Sequence, residues 1–134
     1  MSIPMKRTRA FVVLIAISFP FLLAACGRDK PRYSFVPVTN EITLQAEAVL
    51  DVRIVDEVSG NPVEGAVIFE SRFDMSPDGM AAMTAPAEVQ GTPQPGIYRF
   101  KVAPNMAGRW ALELKAKLRG VEDTVSGTVI VTAR

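Results

Sequence analysis

The sequence predicts an all-β domain, an immunoglobulin-like antiparallel β-sandwich, preceded by a cleaved lipoprotein signal peptide. Three observations carry that expectation. Apolar and polar residues alternate in short runs from Ile42 onward. Clusters of Gly and Pro separate those runs. Ahead of them stands a leader that is first basic, then apolar, then small, and it ends at the single cysteine, Cys26.

The leader comes first in the chain. Lys6, Arg7 and Arg9 supply a positive start, and an apolar run from Ala10 to Ala25 follows, broken only by Ser18 and Pro20. That order is the layout of a secretory signal. A membrane-spanning helix wants about 20 apolar residues, more than this run provides. Leu23-Ala24-Ala25-Cys26 has the form of a lipobox, in which small residues admit the peptidase and a thiol carries the lipid. Residues 1–25 are thus expected to be removed and Cys26 to be lipidated. An unpaired thiol outside the cytoplasm is otherwise a liability, and a lone cysteine can form neither an internal disulfide nor a multi-cysteine metal site. The chain should then stay on a membrane in the periplasm. Gly27 in place of aspartate favours the outer membrane over the inner.

Cleavage takes three of the fifteen basic residues and none of the fourteen acidic ones, leaving twelve against fourteen and a net charge of −2. That balance offers no electrostatic footprint for nucleic acid. Residues 26–40 carry Pro31 and Pro37 without sustained periodicity and are expected to be the lipidated cysteine and a linker. Residues 41–134 are the size of one domain.

Within that domain Ala46, Ala48, Leu50, Val52 and Ile54 form one apolar row, with Glu47, Asp51 and Arg53 on the other face. This is the period of a half-buried strand. Ser59-Gly60-Asn61-Pro62 turns the chain, and Ala66 to Phe69 is apolar on both faces, as a central strand would be. Thr92 to Gly96 punctuates again before Tyr98, Phe100 and Val102 alternate with Arg99 and Lys101. Trp110, Leu112, Leu114, Ala116 and Leu118 then point one way, and Glu113, Lys115, Lys117 and Arg119 the other. Leu, Ala, Glu and Lys favour helix, but a helix would scatter these apolar residues around its circumference. A last run places Val125, Val129 and Val131 on one face. Seven or so short strands between turns read as a sandwich.

The chemistry is bounded first by what is missing. There is no histidine, and the one cysteine is taken by lipid. Ser-His-Asp and Cys-His nucleophiles are therefore excluded, as are the imidazole and thiolate ligands that zinc takes. The chain is expected not to be an enzyme. The informative stretch runs from Phe73 to Thr84. Met75, Met80 and Met83, three of the four methionines beyond the leader, fall within nine residues, and Pro77 and Gly79 predict a loop there. Thioether sulfur is a soft, neutral ligand suited to Cu(I) or Ag(I). Met106, from the next loop, is a fourth candidate. Methionine also fills irregular gaps well, so packing over the end of the sandwich is the competing reading. Asp74 and Asp78 lie in the same stretch but are too few oxygens for calcium.

Gly60 to Phe69, the Met75–Met83 stretch, Pro95-Gly96-Ile97-Tyr98-Arg99-Phe100 and Met106-Ala107-Gly108-Arg109-Trp110 occur in an order that resembles the YtkA-like (FixH-like) domain. The resemblance covers residues 42–132. It implies an extracytoplasmic β-sandwich without enzymatic activity, in the company of heavy-metal efflux or respiratory oxidase assembly proteins. By residue, Met75, Met80 and Met83 match that family's methionine loop, and Tyr98, Gly108 and Trp110 match its structural corner. The lack of histidine departs from copper-handling relatives, which sets Cu(II) aside and leaves Cu(I) or Ag(I). Two functions stay open: a tethered domain that binds or relays the metal, and an adaptor lipoprotein that makes protein contacts without it.

Overall fold

A computed structural model describes Ser2 and residues 31–134. Cys26 and, apart from Ser2, the leader lie outside the described residues. Nine strands follow: β1 (Tyr33–Pro37), β2 (Glu41–Ile42), β3 (Ala48–Asp56), β4 (Val67–Met75), β5 (Met80–Ala85), β6 (Ala87–Gln94), β7 (Ile97–Val102), β8 (Gly108–Lys117) and β9 (Val125–Ala133). They form two sheets, ordered β1-β3-β7-β6 and β2-β9-β8-β4-β5. Every pairing is antiparallel except the short β2–β9 contact, which is parallel. This is the expected immunoglobulin-like sandwich.

Alternation decides which side chains meet between the sheets. Leu50, Val52 and Ile54 of β3 and Tyr98, Phe100 and Val102 of β7 face Trp110, Leu112 and Leu114 of β8 and Val129 and Val131 of β9 across the buried core. The row in β3 begins at Ala48; Ala46 lies in the preceding turn and is exposed. Gly127 occupies one inward position of β9. A Cβ there would stand 2.0 Å from Cδ2 of Phe35, so the missing side chain is what admits the β1 ring.

Other expectations also need correction. The supposed linker does not extend to Asn40: β1 lies inside it and pairs along β3 from Tyr33 opposite Asp56 to Pro37 opposite Val52. The chain then changes sheets, so that Asn40 accepts from Thr132 N–H and β2 runs beside β9. Sequence periodicity misses β1 because only one of its residues, Phe35, is buried. A further correction concerns Ala66 to Phe69. The strand is interior to its sheet, between β8 and β5, but its outer side meets solvent, with Val67 63% and Phe69 54% exposed. A bulge between Ile68 and Glu70 turns Phe69 out of the ladder.

The two ends of the sandwich differ. At one, β1 enters beside Asp56, and the Tyr98 hydroxyl donates to Val63 O (2.8 Å) and accepts from Ala66 N–H (2.9 Å). This fixes the crossing from β3 to β4. At the other end lie the start of β8, the end of β4 and the C-terminus. Trp110 is there, so it does not pack near Tyr98 as the shared corner motif would suggest.

Candidate functional site

The methionine segment is a hairpin, and its strands explain what the sequence reading missed. Phe73 and Met75 continue the inward alternation of β4 right up to the turn. That period-two signal is present in the sequence, but Pro77 and Gly79 draw the eye to the turn alone. Ser76–Asp78 forms one 3-10 turn with Pro77 in its first positions, where a missing N–H costs nothing. Gly79 closes it in the left-handed region (φ +76°), donating its N–H to Ser76 O at 2.9 Å. β5 then returns beside β4, with Met80 opposite Met75 and Thr84 opposite Asp74, so residues 81–83 bulge between those two pairs.

Buried and exposed methionines alternate around this end. Met75 has no exposed surface, and Met83 packs against the core from the edge strand. Met80 is 37% and Met106 41% exposed. Strand register sets Met80 opposite Met75, Met83 lies in the bulge that follows, and Met106 stands two residues before Gly108, whose backbone abuts the Met75 methyl. At Gly108 (φ +142°) a Cβ would stand 2.6 Å from the Met75 methyl and 2.8 Å from Asp78 Oδ2. Only glycine allows the backbone to sit against both. Two residues on, the Trp110 indole N–H donates to Met106 O at 3.0 Å, which anchors the loop carrying Met106.

The aspartates serve this framework. Asp74 is 2% exposed and accepts from Arg72 Nε at 2.6 Å and from Ser76 N–H at 2.9 Å. Burial pushes its carboxyl up, but the Arg72 guanidinium and the Ser76 N–H and hydroxyl outweigh that and hold it below the usual carboxylate range. Arg72 also donates from Nη2 to Ala81 O at 2.8 Å, tying β4 to the bulge of β5. Asp78 accepts from Arg109 N–H at 2.8 Å and Arg109 Nε at 2.7 Å, while Arg109 Nη2 reaches Pro77 O at 2.7 Å. The Arg109 backbone N–H and then its guanidinium hold the Asp78 carboxyl low. Both carboxylates are thus occupied by protein donors. No group of three or more His, Cys, Asp or Glu side chains able to hold a metal occurs among the described residues. Chemically, this end offers neutral sulfur, not oxygen.

The sequence profile of the YtkA-like family matches residues 31–115, which hold β1 through most of β8. The chain belongs to the YtkA-like family. The match begins ahead of β1, in keeping with a domain that starts before residue 41. No curated protein matches this YtkA-like chain. Among solved structures it is similar to the ZirS C-terminal domain, at 12% identity over 97% of this chain and 87% of that one, with a TM-score of 0.44. The Lin-41 filamin domain is similar at 19% identity over 77% and 92% of the two chains (TM-score 0.42). The Yersinia pseudotuberculosis adhesin InvE is similar at 17% identity over 76% of this chain and 26% of its own (TM-score 0.39).

Proposed function

We infer that this YtkA-like protein is a non-catalytic, lipid-anchored periplasmic domain that binds Cu(I) or Ag(I) at its methionine end and relays it to a metal-efflux or oxidase-assembly partner. The observation that carries this reading is the gathering of Met75, Met80, Met83 and Met106 at one end of the sandwich by strand register and the Gly108 corner. Met80 and Met106 reach solvent and are the donors an incoming ion meets first. Met75 and Met83 are inner donors, whose flexible thioether chains adapt readily to an ion that reaches them. Soft, uncharged donors favour a monovalent soft ion over the hard divalent cations.

Orientation supports the same reading. A lipid on Cys26 would be joined to β1 through residues 27–32, which reach about 20 Å at most. That joint enters beside Asp56, and the nine residues of β3 span about 30 Å from there to the other end. The methionine end is therefore the end farther from the anchor, where partners in the periplasm can reach it.

The adaptor reading has its own support: complete burial of Met75 suits a packing residue, and exposed Met80 and Met106 suit an adaptable protein contact. Competition against a colorimetric Cu(I) chelator separates the two. The wild type should withdraw copper from the chelator, and each Met→Leu change at 75, 80, 83 or 106 should weaken it while keeping side-chain volume. Equal competition by wild type and the fourfold variant would overturn the metal reading and leave the adaptor.

A further inference from the structure

We propose that Arg109 and Asp78 form a latch over Met75, and that local opening of this latch, rather than unfolding of the domain, gives solvent and soft ions access to its sulfur. The inference rests on the metal reading for its purpose, but not for its geometry.

Met75 is fully buried although it is the last residue of its strand, where the hairpin turns back into solvent. It belongs to the core between the sheets, and at its methyl end three pieces meet. Its methyl lies against Gly108, the Asp78 carboxylate lies against the same glycine, and Arg109 grips the turn. Arg109 alone supplies three hydrogen bonds to that turn: two to the Asp78 carboxylate and one to Pro77 O. The turn has little else to hold it. It spans one 3-10 turn, has no side-chain cap, buries none of its residues, and Gly79 at its end would have nothing within 4 Å of an added Cβ. The Asp74–Ser76 bond pins only the first residue of the turn, and the strands beneath are secured separately, by the Arg72–Asp74 pair and the Arg72–Ala81 bond. A short, solvent-facing element held by a few polar bonds above a well-tied base is the kind of unit that opens locally. Arg109 and Asp78 are thus positioning residues: they touch no metal and decide how often Met75 can be reached.

The direct readout is oxidation of each methionine by dilute hydrogen peroxide, which transfers one oxygen to the sulfur and leaves water. It is followed residue by residue by peptide mass spectrometry on the full chain in detergent. In the wild type, Met80 and Met106 should oxidise quickly and Met75 slowly. Arg109→Ala should speed Met75 by about tenfold or more, the change expected when an opening equilibrium loses charge-assisted hydrogen bonds, while Met106 keeps its rate. Asp78→Asn keeps the volume and should give a smaller rise. Arg109→Lys, which lacks the planar fork, should restore only part of the protection. Tyr98→Phe weakens the opposite end and controls for global unfolding; it should leave Met75 protected relative to the other three. Unchanged Met75 oxidation in folded Arg109→Ala overturns the latch, as does an equal rise with Tyr98→Phe at matched stability. Copper competition on the same proteins is independent: protection without copper binding retains the latch and removes the metal reading.

Discussion

The indole of Trp110 lies stacked on the phenyl ring of Phe73, with ring centroids 4.8 Å apart and planes inclined by 22°. The two residues belong to neighbouring strands, and both are buried. Phe73 comes two residues before Met75, and Trp110 two after Gly108, so the stack is the floor beneath the methionine corner. Trp110→Ala should cost about 3–5 kcal/mol through lost transfer energy and the cavity left behind, and it frees the Met106 loop by removing the indole donor. Chemical denaturation measures this, and a loss below about 1 kcal/mol would contradict the packing described.

Gly127→Ala should be costly for a different reason. The added Cβ lands 2.0 Å from Phe35, so the ring must move or β1 must lift. Overpacking of this kind costs about 1–3 kcal/mol. Combining it with Phe35→Leu should return part of the loss, because the two effects share one space. Purely additive losses in that double-mutant cycle would show that the clash is relieved elsewhere.

Removing only the hydroxyl in Tyr98→Phe leaves Val63 O and Ala66 N–H without their shared partner. The expected loss is about 1–3 kcal/mol. Hydrogen exchange should report it chiefly at residues 63–66, and an unchanged exchange pattern there would mean that water replaces the hydroxyl freely.

Acid should weaken the entry of β1. The Val58 N–H, at 2.9 Å, lowers the Asp56 carboxyl most; burial pushes it up by less than that, and the Arg32 guanidinium, at 3.3 Å, adds to the lowering. A carboxyl depressed in the folded state adds stability above its unfolded pKa, about 3.9, and loses it as the pH falls through the folded value. Stability should therefore be flat from about pH 8 to 5, where histidine would ordinarily titrate but none is present, and decline below about pH 4. Asp56→Asn should reduce the decline slightly, since exposed pairs contribute little. A steeper acid loss in Asp56→Asn would reverse the sign argued here.

Processing offers a test outside the folded domain. Cys26→Ser removes the sole thiol in the chain and should leave an uncut precursor without lipid. Metabolic labelling with a fatty acid reads this directly. Label on the Cys26→Ser protein would exclude lipid attachment at this cysteine.

Much of the domain was legible from side-chain period alone. In β3, β7, β8 and β9 the inward row is apolar throughout and the other face mostly polar, with exceptions such as Val49 and Ile130. A slip of one residue would invert every side chain, so the inward rows follow from the sequence without reference to partners. The absence of histidine and the single cysteine bounded the ligand chemistry in the same way. The tertiary structure decided what depends on distant partners. β1 is a strand because β3 offers it an edge and Gly127 leaves room for Phe35. Met75 is buried, and Met80 exposed, because Gly108, thirty-three residues further along, brings backbone against the Met75 methyl while Arg109 pins the turn. Period encodes which face a residue takes within its own strand. What fills the space opposite that face is set by close packing between segments far apart in the chain.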